Sequence, residues 1–242
     1  MLVYSNGCSF SLNHPRSYAD CVAQSSNAQL INKGQMGACN RRIIRTTMRD
    51  LLEIKSNNVM ALIGLSIMGR TELWRSDHPA QDNDGHFINV LPNKNNIVFS
   101  NGLIDNPADV LEYIDADIRD WYKQFVVHQN SESEITDLLT DVVMLTSFMK
   151  HRDIRYRVFN NMQSFINDES IGYDAPFLKS IRQQLERDSS CIDLWNFSFK
   201  QYALDKGYVP RDVEQYGMHG HPDTEAHEYF AKFLLAHIGQ YG

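Results

Sequence analysis

The sequence predicts an α/β fold, a three-layer α/β/α sandwich on a parallel sheet of about five strands. Three observations predict it. Short apolar runs alternate with amphipathic stretches at the spacing a parallel sheet needs for its crossover helices. One run, NVMALIGLS at 58–66, is apolar almost without interruption, as a strand covered on both faces must be. Several runs stop at clusters of Gly and small polar residues, NGCSFS, NKGQMGACN and IGLSIMGRTE, at the strand ends where open parallel sheets bind ligands.

Taken in order, the first strand is LVYS at 2–5, halted by SNGCSFS at 5–11. AQLIN at 28–32 is the second, and Gly34 and Gly37 follow it. CNRRIIRTTMRDLLEI then places Ile44, Met48, Leu51 and Leu52 at helical spacing. After the 58–66 strand comes a polar stretch from about 69 to 106, rich in Asn, Asp and Pro. It is too long for a simple connection and is read as an insertion at a functional rim, holding one brief strand, NIVFS at 96–100.

Two helices follow. PADVLEYIDADIRDWYKQFVV aligns Leu111, Ile114, Ile118, Trp121 and Phe125, and SESEITDLLTDVVMLTSFMKHR opens with Ser131 and Glu134 at capping-box spacing. A strand is expected at 154–160, a helix at 176–187, a further short strand at 191–196 (CIDLWN), and a last helix at 223–238 with Ala226, Phe230, Phe233 and Leu234 inward. No internal repeat or low-complexity segment interrupts the chain, which reads as a single domain over 1–242.

Bulk composition narrows the function. Hydrophobic residues at 43% and charged residues at 22% suit a globular domain with a sizeable core. A formal net charge of −7 argues against nucleic-acid binding by phosphate neutralisation, and RRIIR at 41–45 reads as the solvated face of a helix. Cys8, Cys21, Cys39 and Cys191 are scattered, with no CxxC pair to suggest a disulfide framework or a zinc site. No uncharged stretch approaches the roughly 18 residues of a membrane span, and no signal-like segment opens the chain. The expectation is a soluble, cytoplasmic protein that needs no cofactor or metal.

Four segments bear the chemistry: Gly7-Cys8-Ser9 after the first strand, Asn32 and Gly37 after the second, Gly64-Leu65-Ser66 ending the third, and His221-Pro222 before the last helix. Together and in this order they resemble the SGNH (GDSL-type) hydrolases, serine esterases and deacylases on a flavodoxin-like sheet. The resemblance spans most of the chain and implies Ser9 as nucleophile and His221 as its base. It implies an oxyanion hole from Ser9, Gly37 and Ser66, the last standing where the family carries Asn. Met218 stands where the family carries the triad Asp; Asp212, Glu214, Asp223 or a backbone carbonyl are the stand-ins available to orient His221.

The residue chemistry agrees with that reading. A Ser hydroxyl needs a base to take its proton, and His is the usual one near neutral pH. A turn after a strand leaves N–H groups to face an oxyanion, and Gly37 has no Cβ to obstruct a substrate. Arg70 and Glu72, just past the third strand, are expected to line the pocket and bind substrate; the alternative is a surface ion pair. Cys8 replaces the family's Asp and is expected as a small buried hydrophobe. His219, His221, Asp223 and His227 form no recognised metal pattern, and His227 is expected to pack inside its helix. Tyr4, Phe10, Trp74 and Phe87 are candidates to flank a sugar or acyl group, against a simple core role. Asp77-His78-Pro79 reads as loop.

Three functions compete at this point. The first is an esterase acting on an O-acetyl or O-acyl group of a carbohydrate, its partner a small-molecule or glycan ester. The second is a catalytically inactive protein of the same fold that binds glycan or protein. The third, a phosphate or flavin binder, lacks any GxGxxG or Walker pattern.

Overall fold

A computed structural model describes residues 1–12, 16–68, 70–74, 87–93, 96–99, 131–164, 176–210 and 220–239, with only the backbone described over 71–99. Four strands form a parallel sheet: β1 (Leu2–Gly7), β2 (Gln29–Asn32), β3 (Val59–Leu65) and β7 (Arg155–Asn160), in the order β2-β1-β3-β7. The apolar runs of β1 and β3 are buried along their whole length, so both faces are covered, as the uninterrupted hydrophobicity of β3 requires. Register aligns Gly7 with Gly64 and Leu65 with Asn160, which brings the carboxyl ends of β1, β3 and β7 level.

The predicted fifth strand is reduced to a single parallel bridge, Val158 to Cys191, closed by Ile192 N–H to Val158 O at 2.8 Å. Asp193 ends it early: its carboxylate and carbonyl accept from Asn196 and its carbonyl from Phe197, folding the chain into a turn. Among the described residues the sheet therefore has four strands where about five were expected.

Between the 69 and 106 boundaries the chain makes more strand than its composition suggests. β4 (Thr71–Trp74), β5 (Phe87–Asn93) and β6 (Asn96–Phe99) form a separate antiparallel sheet in sequential order, β6 being the one strand read in advance. The helix expected at 107–127 lies outside the described residues.

Helices cover both faces. On one side lie α2 (Asn40–Glu53), α3 (Ser131–His151) and α4 (Pro176–Glu186); on the other lie α1 (Tyr18–Ser25), α5 (Phe199–Asp205) and α6 (Thr224–Gly239). The period-2 geometry of the strands sorts their side chains between these layers. Tyr4 and Asn6 of β1 bond to Asp50, Thr46 and Thr47 of α2. Phe159 of β7 meets the rings of Tyr18 in α1 and Phe230 in α6. The helix predicted from residue 39 starts at Asn40, with Cys39 as N-cap; Ile43, Ile44 and Leu51 are buried, while Leu52, expected inward, is 59% exposed. Helices α1 and α5 were not anticipated, although Ser17 and Asp20 form a complete capping box at the start of α1.

Candidate active site

The turn after β1 is a short 3-10 helix, Ser9–Ser11, opened by Cys8 in an extended conformation. Cys8 and Phe10 point into the core, and Ser9 is left half-buried between them. The turn is fixed from below. Ser11 Oγ lies 2.6 Å from Tyr18 Oη and accepts from Asn161 Nδ2 at 3.0 Å; the same Nδ2 donates to Gly64 O at 3.1 Å and reaches Cys8 Sγ at 3.8 Å. Burial pushes the Tyr18 phenol well above its ordinary range, so it remains a protonated partner.

Into this turn reaches the histidine read from the sequence. His221 Nε2 lies 2.9 Å from Ser9 Oγ, across 212 positions of chain. The imidazole, also half-buried, tilts against Phe10 at a centroid distance of 5.2 Å, and Pro222 and Asp223 lead it into α6. Asp223 is the helix cap: its Oδ1 accepts from Ala226 N–H at 2.7 Å. Met218, His219, Asp212 and Glu214 lie outside the described residues. His227 packs as expected, buried with Nδ1 accepting from Tyr18 N–H at 3.2 Å and its ring against Phe199.

The second segment wraps the same turn. Asn32 Nδ2 donates to Ser11 O at 2.7 Å while its Oδ1 accepts from Gly34 N–H, and Gln35 N–H donates to Gly7 O at 3.0 Å. Gly37 follows at φ +72°, in the left-handed region that a side chain disfavours. At the end of β3, Ser66 is held from three directions. Its N–H donates to Asn40 Oδ1 at 2.6 Å, its carbonyl accepts from Asn40 Nδ2 at 3.1 Å, and its hydroxyl accepts from Arg70 Nη1 at 2.8 Å. Arg70 thus lies at the strand ends, whereas the side chain of Glu72 in β4 lies outside the described residues, with those of Trp74 and Phe87. Tyr4 faces α2, bonded to Asp50 Oδ2, and is core.

Ser9, His221, Gly37, Ser66 and Arg70 are therefore drawn to one end of one sheet. A residue family model covers nearly all of this framework, matching residues 11–242 to a family of unknown function (DUF6071). The chain belongs to the DUF6071 family. No curated protein matches it. Among solved structures it is similar to an acetyl xylan esterase, AlAXEase, at 12% identity over 98% of each chain with a TM-score of 0.48. It is similar also to a G-D-S-L family lipolytic protein from Desulfitobacterium hafniense, at 10% identity over 98% of each chain and a TM-score of 0.48. A third similar structure is a catalytic mutant of an acetylxylan esterase from Geobacillus stearothermophilus, at 13% identity over 98% of this chain and 94% of that one, with a TM-score of 0.46. The architecture assigned above rests on strand order and register, not on these distant likenesses.

The sequence reading passed over two residues that hold the site together. Asn161 ties the Ser9 turn to β3, and Asn40 clamps Ser66; each sits beside an element boundary, Asn161 in an Asn-Asn pair ending β7 and Asn40 at the first position of α2. Among the described residues no group of three His, Cys, Asp or Glu side chains is placed to hold a metal ion, and no helix is long and apolar enough to cross a membrane.

Proposed function

We propose that this protein is a serine hydrolase that cleaves an ester, with Ser9 as nucleophile and His221 as general base and then acid. The observation behind this reading is the 2.9 Å contact between Ser9 Oγ and His221 Nε2 at the carboxyl edge of a parallel sheet. Ser9 Oγ bonds to the carbonyl carbon as its proton passes to His221, and the carbonyl π pair moves onto oxygen. When that pair returns, the carbon–oxygen bond to the alcohol breaks and the alcohol leaves with the proton from His221. Water then repeats the two steps on the acyl-serine. The N–H of Ser9, first in its turn and so without an intrahelical acceptor, and the N–H of Gly37 are the backbone donors offered to the oxyanion.

The substrate class we propose is an O-acyl or O-acetyl ester of a small molecule or carbohydrate, handled without metal or cofactor. The test is intact mass after treatment with a small fluorophosphonate. One adduct on the wild type and none on Ser9→Ala, with circular dichroism unchanged, is the expected result. A folded wild type that takes no adduct would leave a binding protein in place of an enzyme.

A further inference from the structure

The Ser9–His221 reading leaves one charge at the strand ends without a task. Arg70 is half-buried, and its Nε is buried with no hydrogen-bond partner. Its Nη1 is anchored twice, on Ser66 Oγ at 2.8 Å and on Ala38 O at 3.5 Å. Both anchors are neutral, and no carboxylate among the described residues pairs with the guanidinium. A permanent cation fixed by neutral groups, with no carboxylate among the described residues to neutralise it, is set to receive an anion.

The anchors place that charge. Gly7 and Gly64 are register partners, and Ser9 and Ser66 each stand two residues beyond them, past the ends of adjacent strands. Ala38 follows Gly37 in the loop that Gln35 fastens to the end of β1. Arg70 therefore touches the strand end and the loop that flank the Ser9 turn. Ser66 itself is 1% exposed, with its backbone spent on Asn40 and its hydroxyl on Arg70, so it supports the guanidinium from behind.

We propose that Arg70 is the charged member of the oxyanion hole, a catalytic residue held in place by Ser66 as a positioning residue. The inference rests on the Ser9–His221 reading and deepens it. As Ser9 Oγ bonds to the carbonyl carbon, the π pair goes to oxygen and the proton to His221, so a full negative charge appears where a partial one stood. A fixed cation beside it gains more in the transition state than in the bound ester, and its removal lowers kcat with little change in KM. This is a different role from clamping a carboxylate on the substrate, which would act on KM for anionic esters alone.

The experiment compares wild type, Arg70→Gln, Arg70→Lys and Ser66→Ala in the full chain. Two readouts are used: the second-order rate of fluorophosphonate labelling, whose phosphonyl oxygen develops the same charge, and hydrolysis of p-nitrophenyl acetate, a neutral ester. Arg70→Gln is expected to slow both by about 10²–10³-fold at near-constant KM and unchanged melting temperature. Arg70→Lys, a point charge without the planar fork, is expected to fall between it and wild type, and Ser66→Ala to lose less than Arg70→Gln. Should Arg70→Gln unfold, the folded Arg70→Lys decides: a loss of about tenfold or more in labelling upholds the assignment, and wild-type labelling overturns it. Wild-type rates in Arg70→Gln overturn the Arg70 assignment and leave Ser9 untouched. The same holds if the only change is a raised KM for p-nitrophenyl hemisuccinate, an anionic ester. A folded wild type that neither labels nor hydrolyses overturns both readings at once.

Discussion

Asn161 has no room for a neighbour. A Cβ built on Gly64 would fall 2.2 Å from its Nδ2, and one on Gly7 would fall 2.1 Å from Ser11 Oγ and 2.8 Å from the backbone oxygen of Gly64. The glycines at these two strand ends are there because the amide that fixes the Ser9 turn crosses directly over them. Gly7→Ala is expected to destabilise the fold by about 1–3 kcal/mol in urea unfolding, because a backbone atom must move, and to slow fluorophosphonate labelling in whatever remains folded. Wild-type stability in that variant would show that the turn can shift at little cost. Ser9, Gly37 and His221 were legible in the sequence because each belongs to a local pattern: a Gly-terminated strand, a spaced Asn and Gly, a His-Pro before a helix. Asn161 and Asn40 were not, since what they do is set by strands that meet only in the fold. Arg70 could be expected near the end of the third strand from its place in the sequence, but its bond to Ser66 needed both partners in space.

Among the elements, α1 shows how a short helix can hide in a sequence. Eight residues make too few turns for a clear apolar stripe, and the segment was passed over although its start was marked: Ser17 accepts from Asp20 N–H while Asp20 accepts from Ser17 N–H. Ser17→Ala is expected to lower stability by about 1 kcal/mol, read as a shift in the urea midpoint at constant m-value. The helices at 40–53 and 131–151 matched their expected limits within two residues because both run long enough for periodicity to show. The β4–β6 sheet was hidden for the opposite reason. Pro92, Asn89 and Asn93 sit within β5 and Asn96 opens β6, signals that argue for loop in any short window. Leu52 was assigned to the wrong side of α2: near the helix's C-terminal end Leu51 takes the buried position and Leu52, the next residue round, is turned outward.

At the scale of the whole molecule, three buried tyrosines link the helix layers to the sheet. Tyr4 bonds Asp50, Tyr18 meets Ser11, and Tyr156 bonds Asp188, which also pairs with Lys150 and accepts from Ser190 N–H. Burial, first among the causes for each, holds all three phenols above their ordinary range, and the neighbouring carboxylates add to this for Tyr4 and Tyr156. The unfolded chain ionises its tyrosines near about 10, so the stability they lend is complete below that pH and is lost as pH rises towards the raised folded values. An alkaline titration is expected to show tyrosinate absorbance in two stages, the second coinciding with loss of circular dichroism. A single smooth stage ending before the fold is lost would contradict the burial of these phenols.

The contact between Ser9 and His221 joins the two ends of the described chain. Ser9 and His221 stand 212 positions apart, and Arg16 meets Glu228 and Tyr18 meets His227 beside them. No fragment that lacks either residue can hold both halves of the pair, so under the proposed function a chain cut between them is expected to be inert towards esters until its pieces reassociate. Two such fragments, cut in the polar stretch and mixed, would regain reactivity only by finding each other, which makes this chain a natural candidate for a split-protein reporter.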